Sequence, residues 1–223
     1  MTKGGESETH GAPEIAHGEP EHSTPGARGS STRCRVLQVA EEVFAECGYV
    51  GARMEEVAAR AGIRRASLVH YFPDKASLYE ALLDDLFGDL PARYEAAIAG
   101  PGSPMERLLR CIDVWADQVG QRPGLLHITL WEMARARPDH PVPLASRVGP
   151  IVQLLAEFVR AGQREGVFND VDPIAFVMSV AGTTAFLGLR SNLLTSAVAP
   201  SVAPGALKAE LRNWAARILV REG

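Results

Sequence analysis

The glycine at position 62 constrains this 223-residue chain most, because of what stands on either side of it. Before it, Met54, Val57, Ala58 and Ala61 fall at i, i+3, i+4 and i+7. That spacing gives a short helix one apolar stripe and leaves Glu55, Glu56 and Arg60 toward water. Glycine accepts the left-handed conformation beyond a helix end without a Cβ penalty, so the chain can reverse there and restart at Arg64 or Arg65. Leu68 and Phe72 are one turn apart and can pack back on Ile63 and the first helix. Arg65, Ala66, Ser67, Val69, His70 and Tyr71 then form a compact outer surface.

Two short helices about a glycine turn, the second with an exposed hydrogen-bonding face, make the helix-turn-helix pattern, whose second helix enters the DNA major groove. The flanking residues extend it. An amphipathic helix carries Val36, Val39, Ala40, Val43, Phe44 and Cys47 on one side and is expected to start after the N-cap residues Ser31 and Thr32. Gly48 stops it, and Tyr49 and Val50 can pack beneath the next helix. Pro73 and Asp74 lead into a further helix at Lys75, followed by Leu78. Over roughly Thr32 to Leu78 the order and spacing of these positions resemble the TetR family of bacterial transcriptional regulators. Three positions depart from the family pattern: Arg53 replaces a threonine helix cap, Arg64 a serine or threonine, and Val69 a common tyrosine. Glu56 is expected to reach back to the amide of Arg53 as half a capping box.

The resemblance implies an all-α fold with a three-helix DNA-binding domain over 31–77, after a disordered tail over 1–30. A helical effector-binding and dimerisation domain would occupy 78–223. It also implies a homodimer on a near-palindromic operator, repression as the default, and release by a small apolar or aromatic effector. A constitutive DNA binder of the same fold, with a filled core and no effector, is the alternative. In the family the helix N-terminus at Lys75 faces a phosphate, where free amides and a positive side chain both favour an anion. By side-chain chemistry, Arg65 suits a bidentate contact to guanine, Ser67 and His70 can donate to phosphate or base, and Val69 offers methyls to thymine. Ala66 matters by being small. Arg53, Arg64, Tyr71 and Lys75 are expected on phosphates, which set register without reading sequence.

A net charge of −4 is unusual for a DNA binder until it is placed along the chain. Residues 28–75 carry eight Arg/Lys against six Asp/Glu, whereas residues 1–27 carry one Lys against five Glu. The basic excess coincides with the helix-turn-helix. The first 30 residues have almost no apolar side chains, so they cannot offset the entropy of ordering. His10, His17 and His22 are too irregularly spaced there to suggest a metal site.

Helical spacing continues to the end, and no long alternation of period two suggests a sheet. Leu78 to Ile98 is expected as one lever helix, Pro104 to about Gln121 as the next, then Leu125–Ala136, a proline-rich loop, and Val148–Glu165. Asp172-Pro173 opens a long helix to about Leu194, in which Ala181, Gly182, Ala185 and Gly188 would let another helix approach closely. With Leu207, Leu211, Trp214 and Ile218 of the last helix they resemble the family's dimer interface; an internal core is the alternative. Trp115, His127, Trp131, Glu132, Met133, Phe158 and Met178 are candidates to line an effector cavity, though a plain helical core wants the same residues.

No H-E-x-x-H, G-x-S-x-G, Walker loop or dinucleotide glycine pattern occurs, so no catalytic residue, metal or cofactor is expected. Cys34, Cys47 and Cys111 form no C-x-x-C pair and are expected as free thiols. No apolar run reaches the roughly 20 residues of a membrane span, and no signal-peptide core is present, so a cytoplasmic location is expected.

Overall fold

The computed structural model describes residue 1 and residues 25–136, 143–193 and 204–219. Its helices are α1 (Pro25–Gly51), α2 (Met54–Arg60), α3 (Arg65–Tyr71), α4 (Lys75–Phe87) and α5 (Leu90–Ala99). They continue with α6 (Pro104–Gln121), α7 (Gly124–Arg135), α8 (Pro143–Arg164), α9 (Pro173–Leu193) and α10 (Pro204–Leu219). The described residues contain no strand, and the fold is all-α as expected. Most of the N-terminal tail, with its three histidines, and most of the proline-rich loop lie outside the described residues.

Several helix ends differ from expectation for local reasons. Helix α1 starts at Pro25, a residue suited to a first helical turn, and runs through the expected caps Ser31 and Thr32. Helix α8 likewise starts at a proline, Pro143, ahead of Val148. The lever over 78–98 is two helices. Pro91 has no N–H for the carbonyl of Phe87, so the chain turns at Gly88-Asp89 and restarts as α5. Strong caps do form where the sequence supplies both partners. Asp74 and Ser77 make a reciprocal capping box on α4, and Ser103 and Glu106 make one on α6.

Two apolar clusters hold the bundle. The first joins Leu37, Val43 and Phe44 of α1 to Val57 and Leu68 of the turn-linked pair, then to Leu78, Leu82 and Leu86 of α4 and to Leu125 and Ile128 of α7. It crosses position 77 without a gap, so the helix-turn-helix segment and the body share one core. The second joins Leu108 and Ile112 of α6 to Val159, Phe168, Phe176, Val180 and Leu211. Trp115 packs against both.

Beside the first cluster lies a buried charge. Glu41 of α1 is 6% exposed, and it accepts from the Gly124 amide at 2.9 Å and from Arg122 Nε at 2.7 Å. Arg122 also donates to Asp85 of α4 at 2.7 Å. Burial opposes the Arg122 charge, but the two carboxylates outweigh it and raise its pKa. A Cβ at position 124 would stand 2.5 Å from Glu41 Cγ, so only glycine admits this approach.

Removing one partner of such a pair strands the other. Glu41→Ala should destabilise the fold by about 3 kcal/mol, a fall in Tm of roughly 6–12 °C for a chain of this size. Glu42→Ala, on the exposed side of the same helix, should stay within about 0.5 kcal/mol; thermal melts followed by circular dichroism check both.

Candidate nucleic-acid interface

The turn between α2 and α3 forms as a paired helix stop. Gly62 sits at φ +65°, its amide donates to the Ala59 carbonyl at 3.1 Å, and the Ile63 amide donates to the Ala58 carbonyl at 3.0 Å. Both bonds satisfy carbonyls that a helix end leaves open, and only a left-handed residue allows them. The entry to α2 is different. Glu56 does not reach the Arg53 amide; no side chain caps α2, and Glu56 instead accepts from Arg60 at 2.6 Å. Arg60 also donates to both oxygens of Glu46 on α1, at 2.8 and 2.7 Å. The expected cap bond is replaced by a charge-assisted bond within α2, and the Arg60–Glu46 pair ties α2 to α1.

Helix α3 is held by few side chains. Leu68 and Phe72 are buried, while Arg64, Arg65, Ala66, Ser67, Val69 and His70 are exposed and Tyr71 is half-buried against the core. The outer surface expected from spacing is therefore present, except that Tyr71 is partly drawn inward. Arg33 of α1 covers the Phe72 ring at 5.4 Å and His70 meets Tyr71 edge-on at 5.7 Å. Arg53 is exposed at the start of α2. Spacing did not reveal that Arg65 donates its Nε to Glu55 at 2.9 Å, across the turn from one helix to the other.

Lys75 points into the fold. Its ammonium donates to the carbonyls of Val50 at 3.2 Å and Ala52 at 3.1 Å and lies 4.8 Å from the Tyr49 ring centroid. Tyr49 packs on Tyr79, which packs on Phe44, with centroids 4.9 and 4.8 Å apart. The Tyr79 hydroxyl lies beside Glu132 of α7, and burial, helped by that carboxylate, raises the Tyr79 pKa well above the usual phenol range. Arg135 of α7 covers Tyr49 at 5.6 Å. Trp131 of α7 donates Nε1 to the Ala45 carbonyl at 3.2 Å and lies flat enough on Gly48 that a Cβ there would come within 3.1 Å. Gly48, at φ +66°, is thus required twice, for the bend in α1 and for the indole.

These contacts separate the residues expected around one effector cavity. Trp131 and Glu132 face the DNA-binding segment, Met178 is exposed, and Phe158 packs on the second cluster edge-on to Phe168. His127 is half-buried on α7, and Met133 is exposed. Two members have an unmet need: the Trp115 indole Nε1 and Glu132 Oε2 are each buried without a hydrogen-bond partner among the described residues, and of the two Trp115 lies away from the DNA-binding segment, between the two apolar clusters.

The expected dimer stripe is also divided. Leu211 is fully buried in the chain's own core, where Trp214 stacks on Phe176 at 5.9 Å and Leu207 and Ile218 pack beside them. Ala181, Gly182 and Ala185 are half-buried on α9, and the surroundings of Gly188 lie outside the described residues. Among the described side chains, the large apolar ones left on the surface of α9 are Ile174, Met178 and Phe186, the last 82% exposed. With Gly182 they fall every fourth residue along one row, opposite Phe176, Val180 and Thr184 of the inner face.

Residues 36–82 match the family model described as bacterial regulatory proteins, tetR family. The chain is 26% identical over 199 residues to the transcriptional repressor NicS of Pseudomonas putida, covering 85% of this chain and 91% of that protein. It is 28% identical over 147 residues to the transcriptional repressor SCO4008 of Streptomyces coelicolor, covering 64% of this chain and 70% of that one. Its fold matches the structure of the ketosteroid transcriptional regulator KstR2 of Mycobacterium tuberculosis with a TM-score of 0.68 at 20% identity, over 85% of this chain and 95% of that chain. The helix-turn-helix geometry, the matched segment and the likeness along most of the chain agree: residues 36–82 form a DNA-binding segment of the TetR type, and the chain around it is similar to transcriptional repressors of that kind, which are not enzymes.

Proposed function

We propose that this chain represses transcription as a homodimer that binds a near-palindromic operator in the cytoplasm. The observation that supports this best is the exposed face of α3, where Arg64, Arg65, Ala66, Ser67, Val69 and His70 stand out while Leu68 and Phe72 hold the helix from behind. Arg65 reads a guanine edge, Ser67 and His70 donate to a base or phosphate, and Val69 meets a thymine methyl. Ala66 keeps the helix close to the groove. Arg53, Arg64 and Tyr71 serve the phosphates, whereas Lys75, its ammonium bonded to the Val50 and Ala52 carbonyls, braces the start of α4 instead.

One such head reads few base pairs, so two heads about one helical turn apart are needed for strong discrimination. The row Ile174, Met178, Gly182 and Phe186 suits a second copy of the same helix, because Gly182 has open space above it and Phe186 exposes a large ring. Ala181 and Ala185 flank that row, and Leu207, Trp214 and Ile218 would reach the partner only by the edges their own core leaves open. The effector reading rests on Trp115, whose unsatisfied N–H would gain a partner from an oxygen on a small apolar ligand. Phe158 and His127 are further candidates for that wall.

Selection of duplexes from a random pool tests the operator claim. An enriched palindrome with half-sites about one turn apart is expected, and purely sequence-blind binding would refute it. On the selected duplex, Arg65→Ala should cost about 1–3 kcal/mol and relax preference at one position per half-site, whereas Arg53→Ala should weaken all duplexes evenly and lower the salt slope by about 1.

Phe186→Glu puts a charge into the apolar row and should turn the dimer into a monomer, with weak binding to single half-sites, measured by light scattering and gel shift. For the effector, a panel of small apolar compounds is screened by thermal melts. A compound that binds only the folded state should raise the midpoint as its concentration rises, and Trp115→Phe should blunt the shift of any oxygen-bearing hit; a panel without effect favours the constitutive alternative.

A further inference from the structure

The α2 surface beside the recognition helix carries an acid in an unexpected place. Glu55 is exposed, belongs to a different helix from Arg65, and accepts Arg65 Nε at 2.9 Å across the Gly62 turn. As a stabilising pair this bond is of little value, because both side chains are open to water. As a charge it is unfavourable on this surface, since a carboxylate beside the groove repels phosphates and weakens binding to any duplex. The hydrogen bond from Arg65 holds the Glu55 carboxyl below the usual carboxylate range, so the charge is present at neutral pH.

The geometry explains what such a residue can do. Among the described residues, Nε is the atom through which Arg65 is bonded; its two terminal nitrogens make no hydrogen bond there. A guanine edge presents O6 and N7 to a pair of guanidinium N–H groups, so both terminal nitrogens are available for it. An arginine on an exposed helix samples many rotamers, and a carboxylate on its Nε removes most of them before DNA arrives.

We propose that Glu55 is a specificity-determining residue, a positioning carboxylate that holds Arg65 for one guanine contact and lowers affinity for all other DNA. The inference rests on Arg65 reading a base. It separates two quantities that a structural role would move together: general affinity rises when Glu55 is neutralised, while discrimination falls.

The test uses the full chain and a duplex selected by the parent, with each half-site position substituted in turn, plus a scrambled duplex, at two salt concentrations. Glu55→Gln should bind the scrambled duplex a few-fold tighter, with the gain shrinking at higher salt. At the one position whose preference Arg65→Ala abolishes, Glu55→Gln should lower the preference for guanine by roughly 10-fold, out of the roughly 5- to 150-fold that a bidentate contact supplies. Glu56→Gln is the control, because it removes the same charge from α2 where the carboxylate pairs with Arg60. It should raise general affinity without changing any preference. In an Arg65→Ala background, Glu55→Gln should likewise change no preference.

Parent-like discrimination in Glu55→Gln, an equal loss at every position, or the same loss without Arg65 would each overturn the proposal. If Arg65→Ala leaves every preference intact while the parent still selects a palindrome, the base-reading role of Arg65 fails and this inference with it, but the operator reading stands. A parent that selects nothing fails earlier, at the function itself. Unchanged thermal melts for the exposed variants exclude misfolding as the cause.

Discussion

The buried carboxylate of Glu41 is the constraint on which the arrangement of this protein depends. A charge at 6% exposure is tolerated only when its oxygens are satisfied, and here they are satisfied by the amide of Gly124 and the guanidinium of Arg122. Both groups belong to the junction of α6 and α7, and Arg122 reaches on to Asp85 of α4. One side chain thus joins the helix that braces the recognition pair to three helices of the body. Around it, Trp131 on Gly48 and Arg135 on Tyr49 add links from α7 to α1, Glu132 beside Tyr79 links α7 to α4, and Lys75 on Tyr49 links α4 to α1. The DNA-binding segment is therefore clamped to the body along much of α1.

That attachment bears on regulation. A ligand can change DNA binding only by as much as it prefers one arrangement of the protein over another. Because the segment and the body share a core, a displacement of α7 would move α1 with it, and with α1 the whole reading surface. Trp115 lies on α6, one helix before α7, where the two apolar clusters meet. A ligand oxygen on its indole would act at the base of this connection.

The surface of the segment is less basic than its composition implies, because several charges are spent internally. Arg60 is held by Glu46 and Glu56, Arg65 by Glu55, and Lys75 by backbone carbonyls. Arg53 at the start of α2 and Arg64 at the start of α3 remain exposed. Such a distribution favours discrimination over raw electrostatic attraction, since few charges attract every duplex equally and one of the candidate readers is held in place.

Much of this was legible in the sequence where the cause is local. Gly62 between two short apolar stripes, Leu68 with Phe72 a turn apart, and Asp172-Pro173 ahead of a long helix were read from neighbours within a turn, and the structure forms each of them. Local rules also failed where two of them competed. Ser31 and Thr32 can cap a helix or sit inside one, and Pro91 ended a stripe whose periodicity ran on to Ile98. Glu56 had a choice between an amide and the guanidinium of Arg60, and the charged partner prevailed. The residues expected around one cavity shared a composition but not a location, since aromatic side chains are wanted equally by a pocket, a core and a helix junction. The sequence by itself determined that the chain is helical, where its turn-linked pair lies and which face of α3 is open, because these follow from periods and caps spanning a few residues. Only the tertiary structure decided that Glu41 clamps α1 to α7, that Trp131 and Glu132 serve the junction, that Leu211 is internal and that Glu55 holds Arg65. Each of those depends on residues that meet across helices, and spacing along a chain carries no record of which distant partner a side chain will find.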